Sequence, residues 1–150
     1  MCIRDRHVTD GDVIAWHDTP HAVYLELGIS TNFRFMHITT TLISPDHFWR
    51  ASRELRKDAL PHARFLVTDL LNAYRNAPEE GWRDFHDAGP DSYPPRFPAK
   101  GRELFPYCEP VVFRSGGGHG RYLVHRVTPD IVERLNDRRV KFEFEVKWWE

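Results

Sequence analysis

Residues 10–28, DGDVIAWHDTPHAVYLELG, carry the signals for a strand, a tight turn and a helix in succession. Val13–Trp16 is a short apolar run behind an Asp-Gly-Asp turn signal, which predicts a buried strand. Thr19 and Pro20 then have the residue types of a helix N-cap and first helical position. Gly28 stands where a left-handed C-cap is typical. The stretch therefore predicts one strand-helix unit.

Two further units of the same kind follow. Phe33–Thr40 is aromatic and β-branched, which predicts a strand, and Ser44 before Pro45 predicts the start of the next helix. Ala63–Thr68 predicts a third strand, with Asp69 as the cap of another helix. Because strand-helix units in series usually pair their strands in parallel, we expect a parallel sheet here.

The remainder of the chain departs from this pattern. Residues 78–110 are rich in proline and aromatic residues without periodicity, which predicts an aromatic-anchored loop packed over the sheet edge. Residues 111–113 and 122–125 predict a β-hairpin, and the strict alternation over 140–148 predicts an edge strand. We therefore predict one small Rossmann-like three-layer α/β domain over residues 7–150, with a mostly parallel sheet, a C-terminal hairpin and a final edge strand.

Composition excludes several classes of function. The 21 basic and 22 acidic side chains give a formal charge of −1, so no basic field for nucleic acid is expected. Cys2 and Cys108 are too few for a disulfide framework or a thiolate metal site. No apolar run approaches the ~20 residues that span a bilayer. The glycine-rich run at 115–120 lacks the lysine of a P-loop, and no cofactor is predicted.

The first six residues, Met1–Arg6, resemble a translated sequencing adapter of the kind found at the start of metagenomic reading frames. They are predicted to be a non-native leader and are left out of the fold prediction. The natural chain is then expected to begin upstream, which makes this sequence a fragment.

Ligands bind parallel sheets beyond the carboxyl ends of the strands. The candidate binding residues at those ends are Trp16, His17, Asp18, His21, Thr39 and Asp69. Thr19, Ser44 and Asp69 are also explained simply as helix caps, and both interpretations stay open. His17 and His21 have the spacing of a zinc pair, but His17 precedes the predicted helix and no third ligand follows. No metal site is predicted.

A second candidate site consists of His37 with Thr39 and His125 with Thr128. Two His-x-Thr motifs on strands are typical of two-histidine phosphoesterases, in which the imidazoles transfer protons and the hydroxyls hold phosphate oxygens. Only the first motif is intact, because two residues separate His125 from Thr128. These four residues are the alternative catalytic set.

Several runs together resemble the C-terminal domain of bacterial membrane-embedded (GT-C type) glycosyltransferases, the class that includes dolichyl-phosphate-mannose-type enzymes. The runs are Gly11–Trp16, Pro20–Gly28, Phe33–His37, Leu60–Val67 and Tyr122–Arg126. They match the strand, helix and strand pattern of that domain over residues 10–127, in pieces. The loop at 78–110 and the run at 140–148 have no counterpart in the family pattern.

The resemblance implies an accessory domain at the extracytoplasmic face of a bacterial membrane. In this family, acidic residues in loops beside the membrane helices transfer sugar from a polyprenyl-phosphate donor. None of those loops is present, so no catalytic residue is carried over. The implied partners are the protein's own transmembrane region and a glycan or lipid-linked sugar. Two alternatives remain: a small two-histidine phosphoesterase, or a non-catalytic protein-binding module that pairs through Trp148 and Trp149 or through the aromatic loop.

Overall fold

The structure is a computed structural model that describes residues 7–16, 22–31, 33, 44–69, 93, 97–115 and 122–146. In chain order its elements are β1 (Val13–Ala15), α1 (Ala22–Leu27), α2 (Pro45–Glu54), β2 (Phe65–Asp69), α3 (Ala99–Arg102), β3 (Val111–Ser115), β4 (Tyr122–Arg126) and α4 (Ile131–Asn136). A π-helical turn over Leu55–Ala59 continues α2, and a 3-10 helix covers Glu143–Glu145. The mixed α/β class predicted from the sequence is confirmed.

The four described strands form one sheet in the order β1-β2-β4-β3. β1 and β2 are parallel, whereas β4 is antiparallel to both β2 and β3. The predicted mostly parallel sheet is therefore not confirmed, because two of the three pairings are antiparallel. The physical reason is that β4 returns from the predicted hairpin and pairs with β2, so an antiparallel half is added to the sheet. The second predicted strand lies outside the described residues except for Phe33.

Alternate residues of the strands build a core on each face of the sheet. Val13, Ala15 and Val67 point to the face where α1 packs through Tyr24. Ile14 and Leu66 point to the opposite face. There they join apolar side chains from the π-helical end of α2, from α4 and from the segment after α4 (residues 137–146, the C-terminal segment). These side chains are Leu55, Ala59, Leu60, Ile131, Leu135 and Phe142. Helices thus cover both faces, as period-two burial on a sheet requires.

The helix ends follow the capping signals in the sequence. The Ser44 hydroxyl accepts a hydrogen bond from the His47 amide at 3.4 Å, and Pro45 occupies the first turn of α2. Gly28 ends α1 with φ of 64°, the left-handed conformation that glycine adopts at little cost. Both predicted signals therefore act as predicted.

The predicted edge strand over residues 140–148 is wrong within the described part of that range. Residues 140–146 contain one bridge at Phe142 and the 3-10 helix, not a strand. The Glu145 carboxylate accepts a hydrogen bond from the Phe142 amide at 2.7 Å, which closes a tight turn. Glu143, predicted to face water, is buried. The alternation of residue types reflects a turn that packs aromatic rings inward.

None of the helices in the described part of the chain combines the length and the apolar character needed to cross a bilayer.

Candidate functional site

Only four of the sequence-predicted site residues lie in the described part of the chain. Trp16 follows β1 and Asp69 ends β2, and because these strands are parallel, both lie toward the same edge of the sheet. His125 is on β4 and Thr128 follows it. The remaining predicted residues, His17, Asp18, His21, His37 and Thr39, lie outside the described residues.

Trp16 is a core residue with 0% exposure. Its indole meets the Phe105 ring edge-on at 5.2 Å and lies parallel to the Phe142 and Phe144 rings at 6.2 and 6.0 Å. The indole N–H donates to the Glu143 carboxylate at 2.8 Å. A tryptophan that is enclosed in this way holds the C-terminal segment against β1, and its ring face is not open to a ligand.

Asp69, at the end of β2, lies near Tyr107 and Glu143 in a buried polar group. Burial raises the pKa of the Tyr107 phenol, and the Glu143 and Asp69 carboxylates raise that pKa further. The phenol therefore stays protonated across the physiological range. The phenol thus lies as a protonated group beside two carboxyl groups.

His125 is fully buried on β4, and both of its ring nitrogens have partners. Nδ1 lies 3.0 Å from the Glu109 carbonyl oxygen, and Nε2 lies 2.8 Å from the Thr68 hydroxyl. Because a carbonyl only accepts, Nδ1 carries the proton and Nε2 accepts from Thr68. Burial lowers the pKa of His125 to about 4. The imidazole is thus held neutral and engaged.

Thr128 is connected to His125 through Glu109, to which both residues are hydrogen-bonded. The Thr128 hydroxyl donates to the Glu109 carboxylate oxygens at 3.1 and 3.2 Å, and Arg134 pairs with the same carboxylate at 3.0 Å. Arg134 also binds Asp130 at 2.9 Å. Burial raises the pKa of Glu109, while Arg134 and Thr128 lower it. These contacts form a clasp between the segment before β3 and helix α4.

The two-histidine alternative receives no support from this geometry. His125 is buried, is bonded at both nitrogens and is separated from Thr128 by Glu109, so its imidazole does not face a substrate. Cys108 is no better placed as a nucleophile. Burial and the Glu109 carboxylate raise the pKa of its thiol to about 12, and a thiol with that pKa is protonated at neutral pH.

No cluster that could hold a metal ion occurs in the described ranges, where no three His, Cys, Asp or Glu side chains converge suitably. Comparison with known proteins found no match to a family model, a curated protein or a solved structure.

Sequence reasoning missed a groove of about 700 Å³ between α2 and the segment after α4. Its walls carry Trp49, Arg56, Arg138 and Lys141. One signal was available in the sequence: Trp49 lies beside Phe48 on an amphipathic helix whose apolar stripe is complete without it. Its 58% exposure is unusual for so large an apolar ring. The approach of residues 138–141 to α2 had no signal, because it depends on the tertiary fold.

Proposed function

We propose that this chain is an accessory domain, not catalytic by itself, of a bacterial membrane-embedded glycosyltransferase that uses a polyprenyl-phosphate sugar donor. The observation that carries this proposal is the engagement of the reactive side chains. His125 and Tyr107 are buried, and the Cys108 thiol, whose pKa burial raises to about 12, is protonated at neutral pH. A domain whose titratable groups stabilise its interior suits a supporting role at the extracytoplasmic face of the membrane.

The edge beyond β1 and β2 is where this domain would contact a glycan or a lipid-linked sugar. Trp16 and Asp69 are buried at this edge, so their role would be structural. The contacts themselves would come from His17, Asp18 and His21, which lie within the five residues after Trp16 in the chain. The position follows from the rule that parallel sheets bind ligands beyond their carboxyl ends.

The Rossmann-like part of the fold belongs to the same proposal. β1 is at the edge of the described sheet and pairs in parallel with β2. The strand predicted over residues 33–40 lies outside the described residues except for Phe33, and the proposal takes it as a further strand of the parallel half. Such a half-sheet would match the strand, helix and strand succession that the resemblance implies.

The decisive test is the reading frame upstream of Val8 in the source DNA. The proposal expects several apolar spans of ~20 residues, with an acidic loop after the first span. Long-read sequencing of that DNA gives the answer directly. A native start codon within a few residues of Val8 would overturn the proposal.

An activity assay separates the accessory role from a catalytic one. The isolated chain is expected to show no sugar transfer from a polyprenyl-phosphate donor and no hydrolysis of a cyclic phosphate. The full-length protein in membrane vesicles is expected to transfer sugar, and deletion of residues 7–150 is expected to reduce transfer. Turnover by the isolated chain would contradict the accessory role.

A further inference from the structure

The groove between α2 and the segment after α4 contains an excess of positive charge. Arg56, Arg138 and Lys141 contribute three cations to its lining, and Glu145 contributes one carboxylate. Three positive charges and one negative charge leave a formal charge of +2. The volume of about 700 Å³ lies within the range of small-molecule sites.

The three cations share the groove with one carboxylate, Glu145, and make no close ion pair with it. Across the part of the chain that the structure describes, neither an ion pair nor a hydrogen bond is made by the side chains of Arg56, Arg138 or Lys141. The Glu145 carboxylate accepts a hydrogen bond from the Phe142 amide instead. By contrast, the neighbouring Arg139 pairs with Asp137 at 3.0 Å. In the described part of the chain, the three groove cations therefore lack a close ion pair of the kind that Arg139 forms.

Arg56 is the most constrained of these cations. Its guanidinium lies 4.8 Å from the centre of the Phe142 ring, and its Nε is buried without a hydrogen-bond partner. Partial burial lowers the pKa of Arg56, Glu145 raises it, and Arg138 lowers it again. The side chain remains charged at neutral pH because the ordinary pKa of arginine is far above 7. A buried donor without a partner is costly, and a bound anion would relieve that cost.

An aromatic wall stands beside the cations. Trp49 is 58% exposed and meets the Phe48 ring edge-on at 5.2 Å. Phe48 in turn meets Phe144 edge-on at 5.3 Å, which fixes this wall to the core through Trp16. An exposed indole held by such contacts offers a flat apolar surface to the organic part of a ligand.

We propose that this groove binds a phosphate monoester, with the phosphate held by Arg56, Arg138 and Lys141 and the attached organic group against Trp49. A phosphate monoester carries a charge of about −1.5 to −2 at pH 7, which matches the excess in the groove. Guanidinium groups form paired hydrogen bonds with phosphate oxygens. The site goes beyond the proposed function, because this binding is independent of membership in a transferase.

Titration of the purified chain with phenyl phosphate at low salt tests the site. Isothermal calorimetry is expected to show saturable binding, weakened by added salt because the attraction is electrostatic. Phenol, which has the ring and no phosphate, is the matched control ligand and is expected not to bind measurably. Inorganic phosphate is expected to bind more weakly than phenyl phosphate because it has no ring to contact Trp49.

Two variants assign the binding to the groove. The double variant Arg138→Gln/Lys141→Gln removes two exposed cations and is expected to raise the Kd at least about tenfold. Arg139→Gln is the matched control, since it removes an adjacent cation that is already paired, and its Kd is expected to stay within about twofold. Circular dichroism of both variants verifies that the fold is retained.

A lipid headgroup offers the same chemistry as a soluble phosphate monoester. Vesicles of phosphatidylcholine with phosphatidic acid, compared with phosphatidylcholine alone, separate these sources. Binding to the phosphatidic acid vesicles only, lost in the double variant, would assign the site to a lipid headgroup. The proposal is overturned if neither phenyl phosphate nor these vesicles bind, or if the double variant binds as tightly as the original chain.

Discussion

His125 is fully buried between the Thr68 hydroxyl and the Glu109 carbonyl, and both of its ring nitrogens are hydrogen-bonded. Protonation would place a positive charge in an interior that penalises charge, and the Thr68 hydroxyl would have to turn from donor to acceptor at Nε2. Burial accordingly lowers the pKa of the imidazole to about 4 from an ordinary value of 6.5. This residue therefore links the stability of the fold to pH.

The sign of that linkage follows from proton uptake. Between pH 6.5 and pH 4 the unfolded chain binds a proton at His125 and the folded chain does not, so stability falls as pH falls. The loss across this window is expected to approach about 3 kcal/mol. Urea denaturation at several pH values measures it.

His125→Gln is expected to flatten this pH dependence, whereas His62→Gln, at an exposed histidine, should leave it unchanged. The difference between variant and original chain removes the contributions of other groups, including Glu109. An unchanged slope in His125→Gln would contradict the assignment of the effect to His125.

Among the elements, α4 is fixed to the segment before β3 by the clasp of Glu109, Thr128 and Arg134. The carboxylate of Glu109 is 1% exposed and Arg134 is 20% exposed, so the pair is largely removed from water. Arg134→Gln leaves that carboxylate without its cation and is expected to destabilise the fold by about 3–5 kcal/mol. The free energy of unfolding in urea gives the value.

Adding Glu109→Gln to Arg134→Gln should recover much of the lost stability, because the stranded charge is gone. The exposed pair of Arg139 and Asp137 provides the comparison, and Arg139→Gln is expected to cost at most about 1 kcal/mol. If the double variant were no more stable than Arg134→Gln, the unpaired Glu109 carboxylate would not be the cause of the lost stability.

The elements also show which parts of the fold the sequence could predict. β1, α2, β2 and the β3–β4 hairpin lie where capping residues and apolar periodicity placed them. Such signals are local, and each can be recognised within about ten residues. The pairing of β4 with β2 has no local signal, because any apolar strand can join either edge of another.

The error over residues 140–146 has a different cause. Alternating apolar residues predict a strand only if every second side chain faces water. Here Glu143 turns inward to accept the Trp16 indole N–H, and Glu145 caps the Phe142 amide. The candidate site shows the same limit, since the partners of His125 and the lining of the groove are distant in sequence.

At the scale of the whole molecule, one contact joins regions that are 127 residues apart in the chain. The Trp16 indole donates to Glu143 at 2.8 Å and lies parallel to the Phe142 and Phe144 rings. β1 and the C-terminal segment therefore depend on each other. Since Phe144 also borders the groove, this contact supports the proposed phosphate site as well.

Trp16→Phe keeps an aromatic ring but removes the donor to a buried carboxylate. The variant is expected to lose about 1–3 kcal/mol of stability, because the buried Glu143 carboxyl loses this hydrogen bond. Trp49→Phe changes the same residue type at an exposed position and should cost no more than about 0.5 kcal/mol. Urea denaturation followed by far-ultraviolet circular dichroism measures both. Equal effects of the two substitutions would mean that the contact between Trp16 and Glu143 does not join the two ends of the fold. A loss confined to Trp16→Phe would show that it does.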